Sequence, residues 1–164
     1  MISRIDWATS SFKPSQALYT ALHEIITESP ALDQIYSVTA GSAAFGMQPI
    51  SSNVIEQGRI RGGNPLGLSA EAQTWYVVDS GWWFDEDEAT VHAALRQVVD
   101  AIDKAAGDNY VPYIFMNDAS WDQDVIAHYG AENVGKLKEI QDKYDPDQVF
   151  QKLVPGGFKL HSVN

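Results

Sequence analysis

The stretch VPYIFMNDAS, residues 111–120, decides how this sequence is interpreted. It begins as an apolar run and ends abruptly in Asn117, Asp118 and Ser120. Short apolar runs bounded by polar residues are typical of buried strands. Functional sites are often formed by polar residues at the end of a rigid strand or helix. The stretch therefore predicts a strand over about 111–117 with a candidate site at its tip.

Other segments carry the periodicity of regular secondary structure. Apolar residues at helical spacing predict three helices, over about 14–28, 86–106 and 132–144. Alternation and aromatic content predict strands within 34–50 and over 73–83, with a short helix at 52–57. This order, with residues 1–12 as an extended entry segment, predicts an α+β fold. We expect an antiparallel sheet covered by helices on one face.

The composition limits the classes of function. The chain has 164 residues, enough for one domain with a substantial core, and its hydrophobic content of 45% is that of a globular protein. A net charge of −11 opposes binding to nucleic acid or to an anionic membrane surface. The chain has no cysteine, no signal-peptide core near Met1 and no run of about 18 apolar residues. We expect a single-domain, cytoplasmic protein without a membrane segment.

Two acids are candidate catalytic groups. Asp118 would act as a general acid or base if an apolar pocket raised its pKa, and the alternative is an Asx turn formed with Asn117. Asp79 lies inside the strand sequence WYVVDSGWW, where an acid must be paired or solvated, or else serve a site. Several nearby rings are suited either to the core or to stacking on a flat ligand: Trp75, Tyr76, Trp82, Trp83 and Tyr113.

Other kinds of site lack a sequence signal. The histidines show neither metal-ligand spacing nor a local acidic partner, so we predict no metal; they are His23, His92, His128 and His161. The sequence has no Gly-x-Ser-x-Gly motif of a serine hydrolase. The glycine-rich loop at 59–69 lacks the ending of a phosphate loop and any dinucleotide fingerprint, so we predict no cofactor bound by this chain alone.

Three segments together resemble a known family. They are QPISSNVIEQGRIRGGNPLGL (48–68), PYIFMNDAS (112–120) and HYGAENVGKLKEIQDKYDPDQVFQKLVPGGFKL (128–160). They resemble the C-terminal part of the FAD-linked oxidases of the berberine bridge enzyme type, above all the fungal branch. The most specific feature is Tyr-Gly-x-x-Asn followed by Lys-Tyr-Asp-Pro-x-x-Val-Phe. The resemblance begins near residue 12, so residues 13–164 would form the oxidase substrate domain.

The resemblance implies a two-domain oxidase of which this chain is the second, α+β domain, without the first domain that binds FAD. In that family the sheet of the second domain covers the flavin, and a Tyr-x-Asn-Tyr motif supplies a tyrosine base. The matching positions here are Phe115, Asn117 and Asp118, so a carboxylate replaces the phenol. Gln48 matches the Gln-Pro strand end that lines the family's substrate pocket. FAD would take part only through a separate flavin-binding partner.

Three hypotheses remain open. The first is a flavin-free enzyme of fungal-type secondary metabolism that isomerises or cyclises a small apolar metabolite, including by a pericyclic, Diels–Alder-like step. Its catalytic residues would be Asp118 and Asp79, and its substrate-binding residues Gln48, Tyr76, Trp82, Tyr113 and Asn117. The second is a non-catalytic partner that completes a split FAD-linked oxidase or carries a metabolite. The third is a fragment of a longer oxidase, although Met1 and the six-element plan favour a self-standing chain.

The sheet face that would cover a flavin needs an occupant in all three hypotheses. Bare, it would expose a large apolar patch. The N-terminal segment, a second copy of the chain, a flavoprotein or a ligand would each hide it. We expect a homodimer that covers the sheet.

Overall fold

Two long central strands organise the fold. The structure, a computed structural model, describes residues 4–160. The strands are β1 (Arg4–Phe12), β2 (Ser42–Ile50), β3 (Gln73–Trp82) and β4 (Tyr110–Val111). Within this range the sheet has the order β2-β3-β1-β4, with β1 and β3 in the centre, and all neighbouring strands are antiparallel. The helices are α1 (Gln16–Glu28), α2 (Pro30–Ser37), α3 (Ser52–Ile60), α4 (Glu88–Ala106), α5 (Ala131–Tyr144) and α6 (Val149–Lys152). The predicted α+β fold with an antiparallel sheet is confirmed.

The strand predictions need two corrections. The entry segment is part of the sheet, because β1 lies between β3 and β4 and pairs with β3 along its whole length. The strand predicted at 111–117 is only the two-residue β4. Pro112 follows it and has no N–H to continue a ladder, so the chain leaves the sheet there. Met116–Asp118 then forms a short 3-10 turn.

The three long helices are confirmed with small shifts of their ends, and two helices were missed. α2 lies where the sequence suggested the start of an apolar strand region. Its Pro30 occupies the first turn, and Ser29 Oγ accepts a hydrogen bond from the Ala31 N–H, as an N-cap does. α3 continues to Ile60, beyond its predicted end at residue 57. α6 lies beyond the last helix that the sequence predicts.

The main core lies between one face of the sheet and α1, α2 and α4. From α4 it receives the buried side chains of Val91, Leu95, Val98 and Ile102, which repeat at helical spacing. From the sheet it receives Ala8, Phe12, Tyr76, Val78 and Trp82. The other face is covered only in part, by a second cluster around Trp75, Tyr113 and Tyr129. Within residues 4–160, no helix has both the length and the apolar character that crossing a bilayer requires.

Candidate functional site

The candidate site lies on the sheet face that points away from α1, α2 and α4, in the part that the cluster around Trp75 leaves uncovered. Side chains alternate along a strand, so Ile5, Trp7 and Asp79 point away from the helices. Trp7 lies opposite Asp79 in register on one side, and Ala44 lies opposite it on the other. Ile5 is 58% exposed and Trp7 is 40% exposed. We call the surface formed by these four residues, together with Gln48 and Asp118, the open face.

The structure brings Gln48, Asp79 and Asp118 together. Gln48 pairs with Trp75 in register and therefore lies on the same sheet face as Asp79. Asp118 arrives from the 3-10 turn, and its Oδ2 accepts a hydrogen bond of 2.7 Å from Gln48 Nε2. Asp118 is also close enough to Asp79 for its charge to act on that carboxyl. Three of the seven predicted site residues therefore form one group.

The surroundings of the two carboxyl groups raise the pKa of both. Desolvation is the main cause that raises the pKa of Asp79, and the negative charge of Asp118 raises it further. Desolvation also raises the pKa of Asp118, while the hydrogen bond from Gln48 lowers it. Neighbouring carboxyl groups resist carrying two negative charges at once. Both carboxyl groups therefore keep a proton to a higher pH than an ordinary aspartic acid does.

Tyr76 and Trp82 lie on the opposite face, so the single pocket expected from seven residues does not form. Both side chains belong to the core beneath the helices. Tyr76 Oη donates a hydrogen bond of 3.0 Å to Asp103 Oδ1. Burial and then the charge of Asp103 raise the pKa of Tyr76. Strand alternation places residues 76 and 82 on the side of β3 that Asp79 does not use.

Tyr113 and Asn117 lie near the carboxyl pair in sequence but differ in setting. Tyr113 is buried, and its ring centroid is 4.8 Å from that of Trp75 and 6.3 Å from that of Tyr129. Burial and the neighbouring Tyr129 raise the pKa of Tyr113. Asn117 is exposed in the 3-10 turn beside Asp118. Tyr113 thus packs beneath the site, whereas Asn117 is accessible at its rim.

The segment 116–124, which we call the edge loop, fixes Asp118 to the sheet. Gln123 Oε1 accepts from Thr9 N at 3.1 Å, and Gln123 Nε2 donates to Thr9 O at 2.8 Å. One side-chain amide thus forms both hydrogen bonds that a neighbouring strand would offer to β1. Ser120 Oγ donates to Asp6 Oδ1 at 2.8 Å, which fixes the loop a second time.

An acid–histidine cluster on the helix side was missed from the sequence. His92 Nδ1 lies 2.6 Å from Asp6 Oδ2, and His92 Nε2 lies 3.0 Å from Asp122 Oδ2. The Trp121 ring stacks on His92 with centroids 5.3 Å apart, and Arg96 Nη1 lies 3.5 Å from Asp122 Oδ1. Asp6 and His92 are 86 residues apart, so local spacing gave no signal. The described part of the chain contains no group of three or more His, Cys, Asp or Glu residues that could hold a metal ion.

This chain is similar to several fungal proteins. No protein-family profile matches it. It is 32% identical over 161 residues to the bifunctional solanapyrone synthase of Alternaria solani, covering 97% of this chain and 31% of that protein. It is 44% identical over 120 residues to the FAD-dependent monooxygenase FUP4 of Fusarium proliferatum, covering 71% and 23%. It is 31% identical over 165 residues to the oligopeptidase PhomG' of Diaporthe leptostromiformis, covering 97% and 13%.

The alignments match this chain to one portion of much longer proteins. Relative to solanapyrone synthase and the monooxygenase, the chain spans 31% and 23% of the relative's length. The similarity to the synthase extends over nearly all of this chain, so the open face, the edge loop and the helix-side core all lie in the shared region. The chain is therefore homologous to one part of fungal FAD-dependent monooxygenases and of a bifunctional solanapyrone synthase.

Proposed function

We propose that this chain is the substrate-side part of a fungal FAD-dependent oxidase of the berberine bridge enzyme type, acting in secondary metabolism. The observation that carries the proposal is the group of Gln48, Asp79 and Asp118 on the open face. The relatives named as FAD-dependent monooxygenases support the redox setting. A small, largely apolar substrate would lie against Trp7 and present its exchangeable protons to the two carboxyl groups.

The open face fits the ring system of a flavin but not its phosphates. Trp7 and Ile5 offer apolar surface to a planar ring. The neighbouring carboxylates and the net charge of −11 would repel a pyrophosphate. The glycine-rich loop has a packing role, because a Cβ at Gly67 would lie 2.2 Å from Tyr129 O. FAD held by a separate chain or segment would supply a hydride acceptor.

Proton transfer is the contribution of this chain. Desolvation raises the pKa of Asp118, which makes its carboxylate a stronger base, and the hydrogen bond from Gln48 favours the ionised form that would accept a proton from a substrate hydroxyl. Asp79, whose pKa is raised by burial and by Asp118, would hold the proton that the pair shares. The resemblance places a phenol base where Asp118 stands, so the position would keep its role with a different acid.

The same carboxyl pair favours a second candidate function, a cofactor-free isomerisation or cyclisation. A protonated carboxyl beside an aromatic surface is able to polarise a carbonyl while the rest of a polyene is held folded. Such a reaction, including a Diels–Alder-like cycloaddition, transfers no electrons to an acceptor. Binding of a metabolite without catalysis would use the same surface.

A reaction with three arms tests both candidates. A conjugated polyene or a quinone-methide precursor is incubated with this chain, with a FAD-loaded flavin-binding protein from a neighbouring gene, or with both, and products are separated by chromatography. Turnover that needs both chains supports the oxidase, and turnover by this chain alone supports the cofactor-free reaction. Asp118→Asn is expected to lower either rate by about 10²–10⁴-fold. Full activity in both Asp118→Asn and Asp79→Asn would contradict both candidates.

The partner on the open face is tested by solution mass. The proposal expects a complex with the flavin-binding protein that Trp7→Ala weakens, whereas Val54→Ala, at an exposed apolar position on α3, leaves it intact. A homodimer that Trp7→Ala dissociates would instead place a second copy of the chain on this face. A stable monomer in every mixture would contradict the split oxidase.

A further inference from the structure

β2 forms a long free edge of the sheet. It pairs with β3 along its whole length without a bulge, and no other strand among residues 4–160 lies on its outer side. None of the residues of β2 is buried, whereas all but one of the residues of β3 are. A long, uninterrupted edge of this kind offers its backbone groups to another strand.

The hydrogen-bond pattern of the sheet identifies the backbone groups of β2 that point outward. In antiparallel pairs, residues alternate between those that bond to one neighbouring strand and those that face the other way. Both backbone groups of Thr9 bond to the edge loop, so the even-numbered residues of β1 bond to β3. Followed across the two ladders, the alternation directs the N–H and C=O groups of Ala43, Phe45 and Met47 away from β3. Pro49 belongs to the same set, so its missing N–H removes no bond to β3.

β2 lacks most of the features that protect an edge strand. Natural edges carry charged side chains, bulges or prolines that oppose pairing with another chain. The sequence SAAFGMQPI has no charged residue, and its one proline is next to last. The charges that give the chain its net −11 all lie elsewhere, so two β2 strands would meet without like charges opposite each other.

The opposite edge of the sheet is closed. β4 has only two residues, and beyond it the edge loop already bonds to the backbone of β1. A strand that pairs with its own copy about a two-fold axis uses the same surface on both molecules. With the other edge closed, no backbone remains for a third copy. Pairing through β2 would therefore end at a dimer.

We propose that two copies of this chain pair antiparallel through β2 and join their four-stranded sheets into one continuous sheet. A two-fold axis at Phe45 pairs all three outward-facing residues and leaves Pro49 beyond the ladder. The second copy extends the sheet sideways and leaves the open face accessible. The pairing does not rest on the proposed function.

The side chains of β2 suit this register. On the helix side Phe45 faces its own copy, and Met47 faces Ala43 of the second copy, a large residue opposite a small one. Met47 is 44% exposed in the single chain, so the pairing would cover apolar surface. On the open face Ala44 lies opposite Gly46 of the second copy, where no bulky side chains collide.

The pairing also brings the second copy to the border of the candidate site. In this register Ser42 of the second copy lies opposite Gln48, on the open face. Side chains opposite each other on neighbouring strands are in contact range. The second copy would thus place a hydroxyl group beside the amide that donates to Asp118 Oδ2.

Solution mass and amide exchange of the full chain test the proposal. Light scattering is expected to give about twice the 18.1 kDa of one chain, falling toward one chain on dilution. The amides of Ala43, Phe45 and Met47 should exchange slowly in the dimer and faster on dilution. The amide of Ala44, which points toward β3, should stay protected at both concentrations.

A pair of variants at one position isolates the backbone contact. Met47→Pro removes an outward N–H but no bond to β3, and the preceding Gly46 accepts the backbone angles that a proline requires. Each dimer carries the change twice, so the dissociation constant should rise by about tenfold or more. Met47→Val keeps the N–H and should remain a dimer. If Met47→Pro does not fold, the amide exchange of the unmodified chain still decides the question.

Three outcomes would contradict the pairing. One is a monomer at every concentration, with fast exchange of the three outward amides. Another is a dimer that Trp7→Ala dissociates and Met47→Pro leaves intact, which would place the second copy on the open face. The third is slow exchange of these amides only after a flavin-binding protein is added, which would assign the edge to a strand of that protein.

Discussion

The two faces of the sheet bury their side chains to very different extents, although the same strands supply both. On the helix side Ala8, Val78 and Leu95 are fully buried within one continuous core. On the open face Ile5 and Trp7 remain substantially exposed, and Asp79 stands beside them. The helix side therefore provides most of the free energy of folding, whereas the open face keeps apolar and acidic groups available to a ligand or partner.

The largest expected effect comes from a substitution in the helix-side core. Leu95→Ala removes a fully buried side chain and leaves a cavity, so it should lower the free energy of unfolding by about 2–5 kcal/mol. Ile5→Ala on the open face should change it by less than about 0.5 kcal/mol. Urea unfolding followed by circular dichroism measures both. Similar losses in the two variants would remove the contrast between the faces.

A smaller effect is expected at the edge loop. Gln123→Leu leaves both backbone groups of Thr9 without their partner, and should lower the free energy of unfolding by about 1–3 kcal/mol. Hydrogen exchange of the Thr9 amide should become faster in the same variant. Gln97→Leu, at an exposed position on α4, is the control. If the Thr9 amide stays protected from exchange in Gln123→Leu, the Gln123 side chain is not what protects the backbone of β1 at this edge.

The smallest expected effect is a pH dependence from the open face. The pKa of Asp79 is raised in the folded chain, so the native state binds that proton more tightly than the unfolded state does. The resulting stabilisation is present below the ordinary pKa of 3.8 and is lost as pH rises through the raised value. Asn has no carboxyl group to ionise, so Asp79→Asn does not lose stability in this way as the pH rises. Its melting temperature should therefore exceed that of the unmodified chain by about 1–2 °C at pH 7.

The control for this pH dependence is an exposed residue that carries no titratable group. Gln97→Leu, on α4, should show the same difference from the unmodified chain at pH 3 and pH 7. For Asp79→Asn the difference should vanish near pH 3, where the carboxyl is protonated in both states. A pH-independent difference for Asp79→Asn would show that the pKa of Asp79 is not raised in the folded chain.

The three long helices and β3 were predictable because their apolar residues repeat with a clear period. The apolar stripe of α4 is an example, with Val91, Leu95 and Val98 all buried as the spacing indicates. β1 was harder to recognise, because its sequence RIDWATSSF is rich in hydroxyl groups. Those serines and the threonine are buried only because strands or the edge loop lie on both sides of β1. Such burial depends on distant segments that a local pattern does not contain.

The candidate site was predictable in part. Asp118 was chosen because it ends an apolar run and Gln48 through the family resemblance, and the structure joins them by a hydrogen bond. The sequence also allowed the prediction that Tyr76 and Asp79 lie on opposite faces of the sheet, because residues three apart on a strand point in opposite directions. The contacts of His92 with Asp6 and Asp122 could not be predicted from the sequence, because they join β1, α4 and the edge loop, which are far apart along the chain.

The hydrogen bonds that the edge loop and Arg96 make to the backbone of β1 also limit how another molecule can join the sheet. Gln123 occupies both backbone groups of Thr9, and Arg96 Nη2 donates to Trp7 O. A peptide seeking to lengthen the sheet at this edge would find those hydrogen bonds already made. A partner at this edge would have to dock on the face of the sheet and recognise its side chains. The same occupied edge gives a misfolded copy little backbone on which to grow a fibril.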